Sequence, residues 1–148
     1  MAEAKAHVMI VEARFYEPLA DELVRGAVAT LEKAGVTYER FAVPGAFEIP
    51  AAISFAIASG RFDGYLALGC VIRGETSHYD HICDESARGL GELALRHNAA
   101  IGYGILTVEN EEQAWVRARV SDGNKGGDTA RACLAMIDLK RSLGLRLR

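Results

Sequence analysis

The chain predicts an α/β fold, a three-layer α-β-α sandwich built on a mostly parallel sheet of four strands. Three observations carry that expectation. Apolar runs of strand length recur along the chain, and stretches with helical spacing follow them. This β-α order repeats four times before a last helix closes the chain. Turn residues, rather than long linkers, separate the segments. Repeated β-α units imply parallel strands joined by right-handed crossovers, with helices on both faces.

Val8-Met9-Ile10-Val11 reads as the first strand, and Glu12 to Tyr16 as the loop after it. Pro18 suits the first turn of a helix whose apolar positions are Leu19, Leu23, Ala27, Val28 and Leu31, with Gly35 as its stop. Tyr38 to Val43 is the second strand, broken by Pro44-Gly45. Phe47-Glu48-Ile49-Pro50 opens a second helix running to Ser59-Gly60, and Gly64 to Val71 is the third strand. Gly74 is expected to release the backbone from ordinary dihedral limits. Ser77 and Asp80 are spaced as a capping box, so a third helix opens at His78 and runs to His97-Asn98. Ala100 to Leu106 is the fourth strand and Glu111 to Ala118 a short helix. The segment Gly123 to Gly127 reads as an interhelix turn, with a last helix over Asp128 to Ser142.

With 148 residues, half of them apolar, the chain fits a single domain spanning residues 1–148. A net charge of −3 with interspersed signs lacks the basic face that nucleic acid requires. No run of about 18 apolar residues suits a membrane span. The polar stretch Met1 to His7 has no apolar core of the kind a signal peptide carries. Three cysteines, Cys70, Cys83 and Cys133, are most simply free thiols, and a cytoplasmic location is expected.

In open parallel sheets, ligands bind beyond the carboxyl ends of the strands. That rule gathers Phe15, the Pro44-to-Glu48 turn, the Cys70-to-His78 junction and Thr107-Val108 on one edge. A strand–turn–helix junction turns backbone N–H groups and a positive dipole end outward, which suits a phosphate. His78 at the helix start is placed for proton transfer in both directions. A histidine in that position is often only a helix residue; the glycine-containing turn beside it is what favours chemistry. His78, His81 and Cys83 make a poor metal set, because no convincing third and fourth ligands accompany the two histidines. Arg73-Gly74-Glu75-Thr76 supplies donors and a hydroxyl but is not a Walker loop. Arg117 and Arg119 read either as a solvated face or as a clamp on a phosphate. Phe15 is either a core staple or a platform for a flat ring. Glu48 either compensates a helix dipole or accepts hydrogen bonds from a polyol.

Taken in order, these segments resemble a known family. They are Ala13-Arg14-Phe15, Val43 to Pro50, Ala67 to Asp80, Gly104-Ile105-Leu106-Thr107 with Glu112-Gln113-Ala114, and Gly123-Asn124-Lys125-Gly126. Their order and spacing resemble the lumazine synthases, the 6,7-dimethyl-8-ribityllumazine synthase family of riboflavin biosynthesis, from about Val8 to Leu139. The resemblance implies a transferase of flavodoxin-like fold. It would condense 5-amino-6-(D-ribitylamino)uracil with 3,4-dihydroxy-2-butanone 4-phosphate, with no metal or organic cofactor.

It also implies residue roles. Phe15 would stack on the pyrimidine, while Ala46, Phe47 and Glu48 contact the ribityl chain and ring. Cys70, Val71 and Ile72 would lie along the pyrimidine edge. Glu75 and Thr76 would hold the butanone phosphate, with Arg117 as their cationic partner and His78 as the proton-transfer residue. Tyr103 and Lys125, assisted by Asp128, match positions that a neighbouring subunit supplies. A homo-pentamer is expected, with a sixty-subunit icosahedral shell as the alternative and riboflavin synthase as an associated partner. Tyr16, Tyr103 and Arg119 depart from the commoner Asn, Phe and Gly of the family. The rival functions are a non-catalytic flavin- or lumazine-binding module and a mainly structural shell protein.

Overall fold

The computed structural model describes residues 5–147, so the expectation for the first four residues lies outside them. Four strands, β1 (His7–Ala13), β2 (Thr37–Val43), β3 (Gly64–Ile72) and β4 (Ile101–Val108), form one all-parallel sheet in the order β2-β1-β3-β4. Five helices connect and follow them: α1 (Glu17–Lys33), α2 (Ile49–Ser59), α3 (His78–His97), α4 (Glu111–Ala118) and α5 (Lys125–Ser142). The arrangement is the expected three-layer, flavodoxin-like one.

The two central strands are covered on both faces, which is why β1 and β3 read as near-continuous apolar runs, whereas the edge strand β2 carries Glu39 and Arg40 and has no fully buried residue. Val8 and Ile10 of β1, with Leu66 and Leu68 of β3, pack under α1, α4 and α5. Their neighbours in sequence, Met9, Val11, Tyr65 and Ala67, face α2 and α3 on the other side. The two-residue period of a strand thus sorts one run into two cores.

Several boundaries differ from the sequence reading. β1 runs on through Glu12 and Ala13, because its pairing with β3 continues to Glu12 and that with β2 to Ala13. The second helix is preceded by a separate 3₁₀ turn, Ala46–Glu48, and begins at Ile49. α5 opens at Lys125 rather than Asp128, with Asn124 in the left-handed region at φ 48° and its side-chain oxygen accepting from the Gly127 N–H at 3.3 Å. The glycines there serve packing: a Cβ on Gly126 would stand 1.9 Å from the Leu23 carbonyl oxygen. α5 therefore lies against the α1 backbone at a distance only glycine permits.

The Ser77/Asp80 capping box does not form. Ser77 is itself helical and its side chain makes no cap, while the Thr76 hydroxyl accepts from the His78 N–H. Asp80 is drawn instead to Arg73, at 3.3 Å. Gly74 is also unlike the expectation. It lacks a positive φ, and a Cβ there would enter open space.

Candidate active site

The strand order turns back on itself between β1 and β3: the chain leaves β1 toward β2, and leaves β3 toward β4. Ligand clefts in open α/β sheets form at such a reversal, because the connections diverge to opposite faces and leave a crevice between them. Here a cleft of about 600 Å³ opens at that point. Its walls come from the turn after β1, the Pro44-to-Glu48 turn after β2, the end of β3 and the first turn of α3.

Phe15, Ala46, Phe47, Glu48, Cys70, Val71, Ile72, Thr76 and His78 all line this cleft. Phe15 and Phe47 are 74% and 56% exposed, so two large apolar rings face the opening rather than the core. The Phe15 ring meets Tyr16 edge-on, with centroids 4.9 Å apart. Glu48 is held by one oxygen, which accepts from the Gly45 N–H at 3.0 Å. Its other oxygen is left for a donor, and a hydroxyl of a polyol suits it.

His78 is exposed at the rim, at the N-terminal end of a 20-residue helix. Its backbone N–H donates to Thr76 Oγ1 at 3.3 Å, which ties the turn to the helix start. The Cys70 thiol is pushed up to about 12, chiefly by burial and further by the neighbouring Cys83 and Glu111. It is therefore a neutral, apolar wall rather than a nucleophile. Burial likewise raises the Tyr16 hydroxyl above its usual value.

Tyr16 and Gly74, from the loop and the junction expected on this edge, line the cleft as well; Tyr79 and Ile82 also line it and were not among the expected site residues. Tyr79 and Ile82 were legible in principle. Helical spacing from His78 puts Ile82 one turn further along the same face, whereas Tyr79 lies at the helix's first turn beside the expected junction.

Glu75, Tyr103, Arg117 and Lys125 do not line the cleft. Arg117 lies in the last turn of α4 and donates to the Gln113 carbonyl of its own helix at 3.0 Å. Lys125 is the first residue of α5, across the sheet from α2 and α3. Tyr103 stands on β4, an edge strand, where burial raises its hydroxyl although Ser86 donates partial relief. Within one chain Arg117 does not line the cleft that His78 lines.

The nearest cation in sequence, Arg73, is already engaged. Its Nε donates to Glu109 at 2.8 Å, it pairs with Asp80, and its guanidinium lies 4.3 Å from the Tyr79 ring centroid. Glu48 is thus the one charged carboxylate among the cleft's described lining residues, and no lysine or arginine accompanies it. No cluster of three or more His, Cys, Asp or Glu side chains with metal-holding geometry occurs among the described residues. Among those residues, too, no helix is long and apolar enough to cross a membrane.

Comparison with known proteins identifies the family. The family model described as 6,7-dimethyl-8-ribityllumazine synthase matches residues 5–141. A Bartonella tribocorum protein named 6,7-dimethyl-8-ribityllumazine synthase is 57% identical over 141 residues, covering 95% of this chain and 93% of its own. An Agrobacterium fabrum protein of the same name is 55% identical, covering 95% and 99%. The Rhizobium meliloti 6,7-dimethyl-8-ribityllumazine synthase 1 is 54% identical, covering 97% and 98%. A cleft at the sheet's reversal, walled by Phe15, Glu48 and His78, sits in a chain that matches this one family from end to end of its sheet; the chain belongs to the 6,7-dimethyl-8-ribityllumazine synthase family.

Proposed function

We propose that the protein condenses 5-amino-6-(D-ribitylamino)uracil with 3,4-dihydroxy-2-butanone 4-phosphate to 6,7-dimethyl-8-ribityllumazine, releasing one phosphate and two waters. The observation that carries the reading is the joint placement of Phe15, Glu48 and His78 around one cleft. A flat pyrimidine stacks on Phe15, its ribityl hydroxyls meet the open oxygen of Glu48, and the reacting end lies toward Thr76 and His78.

The amine of the pyrimidine attacks the ketone, and loss of water gives an imine. Phosphate leaves by elimination, and the ribitylamino nitrogen closes the ring with loss of the second water. His78 moves protons at the carbinol and enol stages. Holding both reactants in register lowers the barrier by roughly 7–11 kcal/mol, and one acid–base group contributes about 10²–10⁴-fold. Positioning is the larger share.

A phosphorylated substrate needs a cation, and the cleft's own lining residues supply none. We read Arg117 as that cation, with Lys125 and Tyr103, delivered from an adjacent copy of the chain. A cyclic homo-oligomer, a pentamer in the first instance, then completes each site at a subunit boundary; a sixty-subunit shell is the larger alternative. The three free thiols accord with a cytoplasmic location.

Purified protein given the two substrates should generate lumazine fluorescence together with stoichiometric phosphate. Absence of both products would end this reading. Mass photometry should find five or sixty chains, and a monomer that turns over would remove the shared site.

A further inference from the structure

We propose that Glu12 and Asp21 are positioning residues: together they brace Arg14 across the turn between β1 and α1 and thereby set Phe15 as the wall on which the pyrimidine stacks. This rests on the reaction proposed above.

Phe15 is an aromatic ring with little to orient it. It is 74% exposed, and its ring contact among the described residues is the edge of Tyr16. A side chain so poorly packed takes its direction from its backbone. That backbone is a short connection between Ala13, the last residue of β1, and Glu17, the first of α1.

Arg14 ties both sides of the connection. Its Nη1 donates to Glu12 Oε1 at 2.9 Å, on the strand before the turn. Its Nη2 meets Asp21 Oδ1 at 2.8 Å, on the helix after it. Its backbone N–H donates to the Val43 carbonyl at 3.0 Å, which anchors the same residue to the end of β2. Arg14 is thus held at three points, and Phe15 is the next residue.

Glu12 is the less expected member. Val8 and Ile10 occupy the same face of β1 and are fully buried, so position 12 continues a face that apolar side chains fill. A carboxylate there, 4% exposed, costs free energy unless it is paired. Arg40 pairs it in bidentate fashion, Nε at 2.8 Å and Nη2 at 2.9 Å. Two arginines and two acids then balance. The core gains nothing from this arrangement that an aliphatic residue would not provide, whereas the turn gains a rigid strut. None of Glu12, Arg14 or Asp21 lines the cleft, so their influence passes through Phe15.

Asp21→Ala tests the strut with least damage to the core, because Asp21 is exposed. A stacking wall binds the pyrimidine equally in ground and transition states, so its misplacement raises KM and spares kcat. The variant should raise KM for the pyrimidine about 3- to 10-fold, with kcat and KM for the butanone phosphate within about twofold of the parent. In a Phe15→Ala background, Asp21→Ala should add no further rise. A fall in kcat at constant KM, a parallel rise in both KM values, or additive effects of the two substitutions would overturn the proposal.

A second readout is independent of turnover. In a Trp115→Phe, Phe15→Trp protein, the indole at position 15 should lose residual fluorescence anisotropy when Asp21→Ala is added. Unchanged anisotropy would overturn the proposal. If the parent protein makes no lumazine, the reaction assignment fails, and the anisotropy still decides whether the strut holds the ring.

Discussion

The Thr76 hydroxyl accepts a hydrogen bond from the His78 backbone N–H at 3.3 Å, so the turn before α3 is tied to the backbone of the helix's first residue. In the reaction proposed above, a phosphate on that turn and a proton-transfer group two residues later would share this support. Geometry of this kind favours a shared role over two independent ones.

His78→Ala should slow turnover by about 10²–10⁴-fold without abolishing it, since orientation of the two substrates survives. Steady-state kcat measures this. Wild-type turnover in the variant would take His78 out of the mechanism.

Arg117→Ala should chiefly raise KM for the phosphorylated substrate. If Arg117 reaches the cleft of an adjacent copy, the impaired His78→Ala and Arg117→Ala chains refolded together at equal amounts should show, at butanone phosphate well below the Arg117→Ala KM, activity rising toward about one quarter of parental sites, since half the chains offer each intact group. No recovery on mixing would place both groups in one chain's site or in none.

Gly126→Ala should destabilise the fold by about 1–3 kcal/mol, because a Cβ there would stand 1.9 Å from the Leu23 carbonyl oxygen and α5 must move off α1. Thermal denaturation should show Tm lower by roughly 3–10 °C. Gly91, where a Cβ meets nothing within 4 Å, serves as the control: Gly91→Ala should be neutral or slightly stabilising.

Acid stability should depend on Glu22. Its carboxylate is held below its usual value, first by the Arg25 side chain and then by the Val120 N–H at 2.9 Å. A carboxylate depressed in the folded state contributes stability that is present above its unfolded pKa and is lost as pH falls through the folded one. The contribution should therefore be intact at pH 7 and fade below about pH 4.5. Glu22→Gln should be less stable than the parent near neutrality and lose less on acidification, as Tm measured from pH 7 to pH 3 would show.

Much of the fold was legible because strand runs and helix periods are local properties. Val8 to Val11 is apolar at every position, and its shortness and β-branched content favour a strand covered on both faces over a buried helix. The start of α3 at His78 was also legible, but for the wrong reason. Ser77 and Asp80 have capping-box spacing, yet Asp80 turns to Arg73, whose other partner Glu109 is 36 residues away from it. The start of α5 was missed for a related cause. Lys125-Gly126-Gly127 has a loop's composition, and only contact with Leu23 on α1 shows why glycine stands inside a helix.

The sequence by itself determined which segments become strands and helices, and it marked Phe15, Glu48, Thr76 and His78 for one edge of the sheet, because parallel β-α units have a single ligand-binding end. Tertiary structure alone decided that Arg73 is already taken by Glu109, Asp80 and the Tyr79 ring, that Arg117 turns back on its own helix, and that buried Glu12 braces the turn bearing Phe15. Those are the choices of cationic and acidic side chains among several partners within reach, and such a choice is made by distance in space, which the linear order of residues does not carry.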